Sequence, residues 1–132
     1  MLLATRVFYY GYTWMLLGVG GSGILIASWE LPHIFSVNLS ALAPQQAATL
    51  LTQYRFLKSM EFAFGLFCWV YRPQIWAGGT ARRLFLAGVF GGVAARLVSL
   101  MMDGVPHWAF LVFAGLELIC EVLMMLQPTR PA

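Results

Sequence analysis

Long stretches with few charges alternate along the chain with short segments that hold most of its prolines and arginines. Because the hydrocarbon core of a bilayer is about 30 Å thick, a helix needs roughly 20 apolar residues to cross it. Stretches at 7–28, 54–71, 84–102 and 107–127 meet or approach that length. They lack the period-two alternation that is typical of membrane barrels. The pattern therefore predicts an all-α, polytopic membrane protein, a bundle of four transmembrane helices that forms a single domain over residues 1–132.

The connections between these predicted spans are rich in residues that favour turns. The first, 29–53, is predicted as an outer loop, in which Pro44 occupies the first turn of a helix that continues into the second span. The second, 72–83, is predicted as a polar cytoplasmic loop, since the Arg-Pro pair at its start ends the preceding helix. The sequence AspGlyValPro at 103–106 predicts a tight turn.

The composition excludes an ordinary soluble domain. Hydrophobic residues make up 61% of the chain and charged residues 10%, against about 45–50% and about 25% in soluble domains. The same values exclude a disordered chain. The formal charge is +3, but the longest basic run is the pair Arg82-Arg83, so the lipid bilayer and not nucleic acid is the predicted partner. Cysteines and histidines show no metal-ligand spacing, and no metal site is predicted.

The positions of the basic residues predict the orientation. Arginine and lysine in short loops and tails favour the cytoplasmic side of a membrane. The first and third connections contain neither arginine nor lysine. The tails and the second connection hold five arginines: Arg6, Arg72, Arg82, Arg83 and Arg130. Both termini and the middle loop are therefore predicted to be cytoplasmic.

Charged residues also occur inside the predicted spans. Each costs about 2.5–3.5 kcal/mol at the centre of a helix that faces lipid, so we expect them to pair inside the bundle. Three are positive and three negative: Arg55, Lys58, Glu61, Arg96, Glu117 and Glu121. A rise of about 1.5 Å per residue puts Glu61 and Arg96 at a similar depth, which predicts a pair, and Arg96 could also reach Glu117.

This polar cluster has two interpretations. It either fixes the register of the helices, or it lines an intramembrane pocket for a ligand. Glu121 has no obvious partner in either interpretation.

Small residues four positions apart predict close contacts between helices. Gly88 and Gly92 have this spacing in the third span, and Gly18 and Ser22 have it in the first. Packing within the bundle is the favoured interpretation. A surface for a partner or a second copy of the chain is the alternative.

Several of these residues occur in an order that resembles a known family. The order comprises an AspGlyValPro turn together with Glu61, Gly65, Gly92, Arg96 and Glu117. It is similar to that of a bacterial family of small four-helix membrane proteins that is defined as a domain of unknown function. The architecture is also similar to that of the DoxX-like membrane proteins. The resemblance implies the fold and a location in the bacterial cytoplasmic membrane, and it implies no activity.

Function is predicted less directly than fold. The chain contains no phosphate-binding glycine loop, HExxH or GxSxG motif, so no catalytic residue and no cofactor are predicted. An accessory or assembly subunit that docks on a larger membrane complex is the favoured function, and its partner would be such a complex or further copies of the chain in a homo-oligomer. The first alternative is a binder or carrier of a small amphipathic molecule, such as a lipid, quinone or pigment, at Glu61, Arg96 and Glu117. The second is an enzyme with proton or redox chemistry at those carboxylates.

Overall fold

A computed structural model of the chain describes residues 2–128, and Arg130 lies outside them. The described residues form five α-helices and one short 3-10 helix, and they contain no strand. The helices are α1 (Leu2–Ile34), the 3-10 helix (Leu39–Ala41), α2 (Pro44–Val70), α3 (Arg72–Ala77), α4 (Thr80–Met102) and α5 (Trp108–Leu126). The predicted all-α class is confirmed.

Three of these helices, α1, α4 and α5, are long and apolar enough to cross a membrane. Length and composition therefore indicate a membrane protein. Helix α2 has 27 residues, which is also a sufficient length. It stands apart because its apolar half contains three charged side chains, Arg55, Lys58 and Glu61.

The first helix is longer than predicted. It continues through Trp29 to Ile34 and so includes the start of the predicted loop 29–53. It contains Pro32 and has non-helical backbone angles at Ile26 (φ −104°, ψ 19°). A proline removes one backbone hydrogen bond but does not prevent the flanking turns from forming, so a helix can bend near it without ending.

The second connection also differs from the prediction. Helix α2 begins at Pro44, as predicted. The loop predicted at 72–83, however, contains α3 and the first turn of α4, which begins at Thr80. Pro73 is compatible with α3 because it lies in the first turn, where a backbone N–H has no helical partner.

Glycines with positive φ separate the last three helices. Gly78 (φ 105°) and Gly79 (φ 78°) lie between α3 and α4, and Gly104 (φ 94°) lies between α4 and α5. Glycine adopts these angles without the steric penalty that a Cβ would bring. The tight turn predicted at 103–106 is confirmed.

The described residues divide into two compact units. The first unit contains the chain up to Thr13 and from Phe67 onward, and the second contains Trp14–Leu66. The core of the first unit forms around Tyr9, which is 0% exposed. The ring of Tyr9 makes edge contacts with Trp76 and packs at a tilt against Phe85.

Side chains cap the C-terminal ends of two helices in the first unit. The last carbonyl groups of a helix have no partner within it. At the end of α2, the Tyr9 hydroxyl donates to the carbonyl oxygen of Cys68 at 2.7 Å, and Nη1 of Arg72 donates to that of Trp69 at 2.7 Å. At the end of α5, Nη2 of Arg82 donates to the carbonyl oxygens of Met124 and Gln127. Arg82, which was predicted to lie in a polar loop, is therefore a buried capping residue.

The second unit is built on close contact between α1 and α2. A Cβ atom at Gly20 would lie 2.7 Å from the backbone nitrogen of Phe62 and 3.0 Å from the carbonyl oxygen of Lys58. Gly65 on α2 lies against the side chains of Leu16 and Leu17. These glycines let the two backbones approach more closely than a side chain would permit.

Candidate functional site

The clearest charged contact in the first unit joins α4 to α5. Nε of Arg96 donates to Oε2 of Glu117 at 2.9 Å, and Nη2 donates to Oε1 at 3.2 Å. This bidentate arrangement is stronger and more directional than a single hydrogen bond. The Glu117 side chain is 8% exposed and the Arg96 side chain 30% exposed. The acid is therefore buried, while the guanidinium group keeps one accessible side.

Phe110 and Gly92 lie next to the Arg96–Glu117 pair. The guanidinium carbon of Arg96 lies 6.0 Å from the centre of the Phe110 ring, within the range of a cation–π contact. A Cβ at Gly92 would lie 3.8 Å from Oε2 of Glu117, so α4 passes the carboxylate at ordinary contact distance.

A groove opens between α4 and α5 beside this pair. Its volume is about 510 Å³, within the range of about 300–1,000 Å³ that is typical of small-molecule sites. Its lining consists of Val93, Arg96, Leu97, Ser99, Leu100, Pro106, Phe110, Leu111, Ala114, Gly115 and Leu118. Arg96 is the only charged residue among these eleven. The groove is thus an apolar surface with one cationic hydrogen-bond donor.

The second unit contains a different ion pair. Nζ of Lys58 lies 2.9 Å from Oε2 of Glu61, three residues further along the same helix. The Lys58 side chain is 5% exposed and that of Glu61 is 24% exposed. Nζ also lies 5.3 Å from the centre of the Tyr54 ring. Here the base is buried, and the pair stays within α2.

Glu30 lies near the side chain of Lys58, and it was not predicted as a site residue. It is 4% exposed, and its Oε2 has no hydrogen-bond partner in residues 2–128. A Cβ at Gly23 would lie 2.9 Å from this oxygen and 2.6 Å from Cδ of Lys58. The absence of a side chain at Gly23 therefore lets Glu30 and the stem of Lys58 occupy neighbouring space.

Glu61 and Arg96, which were predicted to pair with each other, each have another partner in the structure. Glu61 binds Lys58, and Arg96 binds Glu117. The contact of Arg96 with Glu117, which was predicted as a further possibility, is confirmed. Counting residues along a helix predicts depth, but it does not determine the direction in which a side chain leaves the helix.

The remaining members of the predicted cluster, Arg55 and Glu121, belong to neither ion pair. Nε of Arg55 donates to the carbonyl oxygen of Ile24 at 3.2 Å, two residues before the bend in α1. Glu121 is buried, and its Oε1 has no hydrogen-bond partner in the described part of the chain. No group of three or more histidine, cysteine, aspartate and glutamate side chains in that part could hold a metal ion.

The small residues predicted to pack are mostly on outer surfaces. Gly88, Gly18 and Ser22 are exposed, and a Cβ at Gly18 would meet no atom within 4 Å. The contact expected within the chain at Gly18 and Ser22 forms instead at Gly20 and Gly23. Both pairs of positions lie in one glycine-rich run, and only the second faces α2.

Comparison with known proteins identifies the family. The family described as Domain of unknown function (DUF4345) matches residues 4–127. The chain belongs to this family. No curated protein and no solved structure matches it.

The DUF4345 match runs from the first turn of α1 to the end of α5, so it includes both ion pairs and the groove. The resemblance to a family of unknown function is thereby confirmed. The bacterial distribution and the similarity to DoxX-like proteins stay predictions. The family description names no activity, and any proposal about function must come from the site itself.

Proposed function

We propose that this DUF4345 protein binds a small amphipathic molecule in the groove between α4 and α5. The observation that carries the proposal is an apolar groove of about 510 Å³ whose one charged lining residue is Arg96. Sites for small molecules are typically apolar with a few polar groups that fix orientation. The groove therefore favours binding over the accessory and enzymatic roles, which stay predictions from sequence.

Arg96 determines which polar group of the ligand can bind in the groove. A guanidinium group has five N–H donors, and Glu117 accepts from two of the nitrogen atoms of Arg96. The other donors are available to a carboxylate, phosphate or carbonyl oxygen. Glu117 acts as a positioning residue, because it holds the guanidinium group in one orientation. The apolar body of the ligand would contact leucines such as Leu97, Leu111 and Leu118.

A matched set of variants tests this proposal. Gly115 lines the groove and has open space at its Cβ position, so Gly115→Leu adds bulk to the groove without replacing either residue of the ion pair. Gly18→Leu adds the same side chain to an open surface of α1 and serves as the control. A fluorescent fatty acid is the probe, and its affinity is measured in detergent. We expect Gly115→Leu and Arg96→Gln to weaken binding at least about tenfold, which corresponds to about 1.4 kcal/mol, and Gly18→Leu to leave it unchanged.

Two outcomes would contradict the proposal. One is equal probe binding by wild type and Gly115→Leu. The other is a wild-type protein that binds neither the fatty acid nor a quinone analogue. Co-purification of a partner protein that is lost in Gly18→Leu and retained in Gly115→Leu would favour the accessory role instead.

The proposal includes a fourth span, α2, and cytoplasmic termini. Support comes from contacts inside the first unit. Arg6 near the start of α1 lies 5.9 Å from the Trp76 ring of α3, which supports a return of the chain to its starting side after α2. A crossing by α1 in one direction and by α2 in the other would account for this return. Arg82 at the start of α4 binds the end of α5, which implies the same side for the end of the last helix.

Thiol labelling tests this topology. Ser40→Cys lies between α1 and α2, and Thr80→Cys lies at the start of α4. Both are made in a background in which Cys68 and Cys120 are replaced by alanine. An impermeant maleimide added to intact cells should label position 40, and it should label position 80 only after permeabilisation. Labelling of position 80 in intact cells would reverse the orientation.

A further inference from the structure

Three arginines of the first unit make up what we name the basic surface: Arg72 begins α3, Arg6 contacts Trp76 of α3, and Arg83 lies in the first turn of the next helix, α4. The guanidinium carbon of Arg6 lies 5.9 Å from the Trp76 ring, and that of Arg72 lies 4.6 Å from the Trp69 ring. Arg83 follows the capping residue Arg82 in the first turn of α4, and both Arg6 and Arg83 are exposed.

The basic surface lacks compensating negative charge. None of its three arginines forms an ion pair with an acidic residue within residues 2–128. In the same unit, Arg96 binds Glu117, and Asp103 accepts from Ser99. The surface therefore carries unneutralised positive charge beside two tryptophans.

We propose that the basic surface binds the phosphodiester headgroup of an anionic phospholipid. Arginine matches the geometry of phosphate oxygens and binds them by parallel hydrogen bonds. Tryptophan side chains are enriched at the level of the headgroups, and Trp69 and Trp76 both contact arginines of the surface. Basic residues that flank a membrane span attract anionic lipids. A lipid headgroup satisfies all three features at once, whereas a soluble acidic partner would not require the tryptophans.

This surface is distinct from the groove between α4 and α5, since it shares no lining residue with that groove. The inference therefore does not depend on the proposed function. A groove ligand is held mainly by its apolar body, whereas the basic surface discriminates between lipids by the charge of the headgroup.

Native mass spectrometry of the purified chain tests the inference. The protein is supplied with equal amounts of phosphatidylglycerol and phosphatidylcholine that carry the same acyl chains, and the ratio of the two retained lipids is measured. Each arginine near the surface is expected to contribute about a fivefold preference for the anionic lipid. Arg6→Gln/Arg83→Gln should thus reduce the preference at least about tenfold, and Arg6→Lys/Arg83→Lys should retain most of it.

Two controls make the result specific. Arg55→Gln removes an exposed arginine of the second unit, and Gly115→Leu adds bulk to the groove; both should keep the wild-type preference. Arg83→Gln alone should reduce it about fivefold. This single variant keeps the test decisive if the double variant does not fold, because Arg83 is exposed and does not cap a helix.

The inference is overturned if the wild type retains both lipids equally, or if Arg55→Gln loses as much preference as the double variant. Inorganic phosphate and glycerol 3-phosphate at millimolar concentration form a third arm. They should not displace phosphatidylglycerol, and displacement by either would assign the surface to soluble phosphate.

Discussion

One of the two described ion pairs joins two helices, and the other lies within a single helix. Arg96 and Glu117 lie 21 positions apart and join α4 to α5 in the first unit. Lys58 and Glu61 lie three positions apart within α2, in the second unit. The buried member is the acid in the first pair and the base in the second. Only the first pair can fix one helix relative to another.

The comparison teaches that different interactions stabilise the interior of each unit. In the first unit, a desolvated charge pair bridges two helices. In the second unit, glycines let the α1 and α2 backbones meet, and a Cβ at Gly20 would lie 2.7 Å from the backbone nitrogen of Phe62. Loss of one charge should therefore lower the free energy of unfolding strongly in the first unit and less in the second. An added methyl group should lower it most where the α1 and α2 backbones touch.

The largest effect is expected for Arg96→Leu. This change leaves the carboxylate of Glu117 buried and unpaired, and such a loss destabilises a protein by about 3–5 kcal/mol. Arg96→Leu/Glu117→Leu should recover most of the stability, because no unpaired charge remains. The measurement is the free energy of unfolding in mixed detergent micelles. If the losses of the two single variants simply add in the double variant, the residues do not act as a pair.

A smaller loss is expected for Gly20→Ala. Its Cβ would lie 2.7 Å from a backbone nitrogen and 3.0 Å from a backbone oxygen. Neither atom can rotate away, so the two helices must separate, at a cost of about 1–3 kcal/mol. Gly18→Ala is the matched control, since its Cβ meets nothing within 4 Å. Alanine favours a helix over glycine by about 0.5–1 kcal/mol, so the control should be neutral or slightly stabilising. Equal unfolding free energies for the two variants would contradict the close approach.

The smallest effect is expected for Glu61→Gln. An ion pair within one solvent-exposed helix contributes about 0.2–0.5 kcal/mol, but Lys58 is buried, so the loss of its partner costs more. Lys58 also keeps the Tyr54 ring 5.3 Å from its Nζ and the carboxylate of Glu30 in neighbouring space. We therefore expect a loss of about 1 kcal/mol in the same unfolding measurement. A loss as large as that of Arg96→Leu would show that Glu61 is the main counter-ion of Lys58 and would end the contrast between the units.

Sequence predicted the helical class and several boundaries well because those depend on local signals. The proline at position 44 begins a helix, and the AspGlyValPro turn contains a glycine with positive φ at Gly104. The length of α1 could not be predicted in the same way. Pro32 and Glu30 resemble loop residues by composition, yet both are helical. Glu30 was consequently missed as a neighbour of Lys58.

The candidate site was harder to predict because it depends on rotation about the helix axes. Counting residues gives the depth of Glu61 and Arg96, but not the side of each helix that carries them. The same limit applies to the glycine run in α1. Spacings of three and four both define a helix face, so the sequence cannot distinguish Gly18 with Ser22 from Gly20 with Gly23.

The capped helix ends of the first unit have a consequence for hydration. Tyr9, Arg72 and Arg82 supply donors to carbonyl oxygens that water would otherwise have to solvate. Backbone that is satisfied in this way can reverse direction at a depth where solvent is scarce. The short connection between α3 and α4 can thus join the two helices although few water molecules solvate their carbonyl groups.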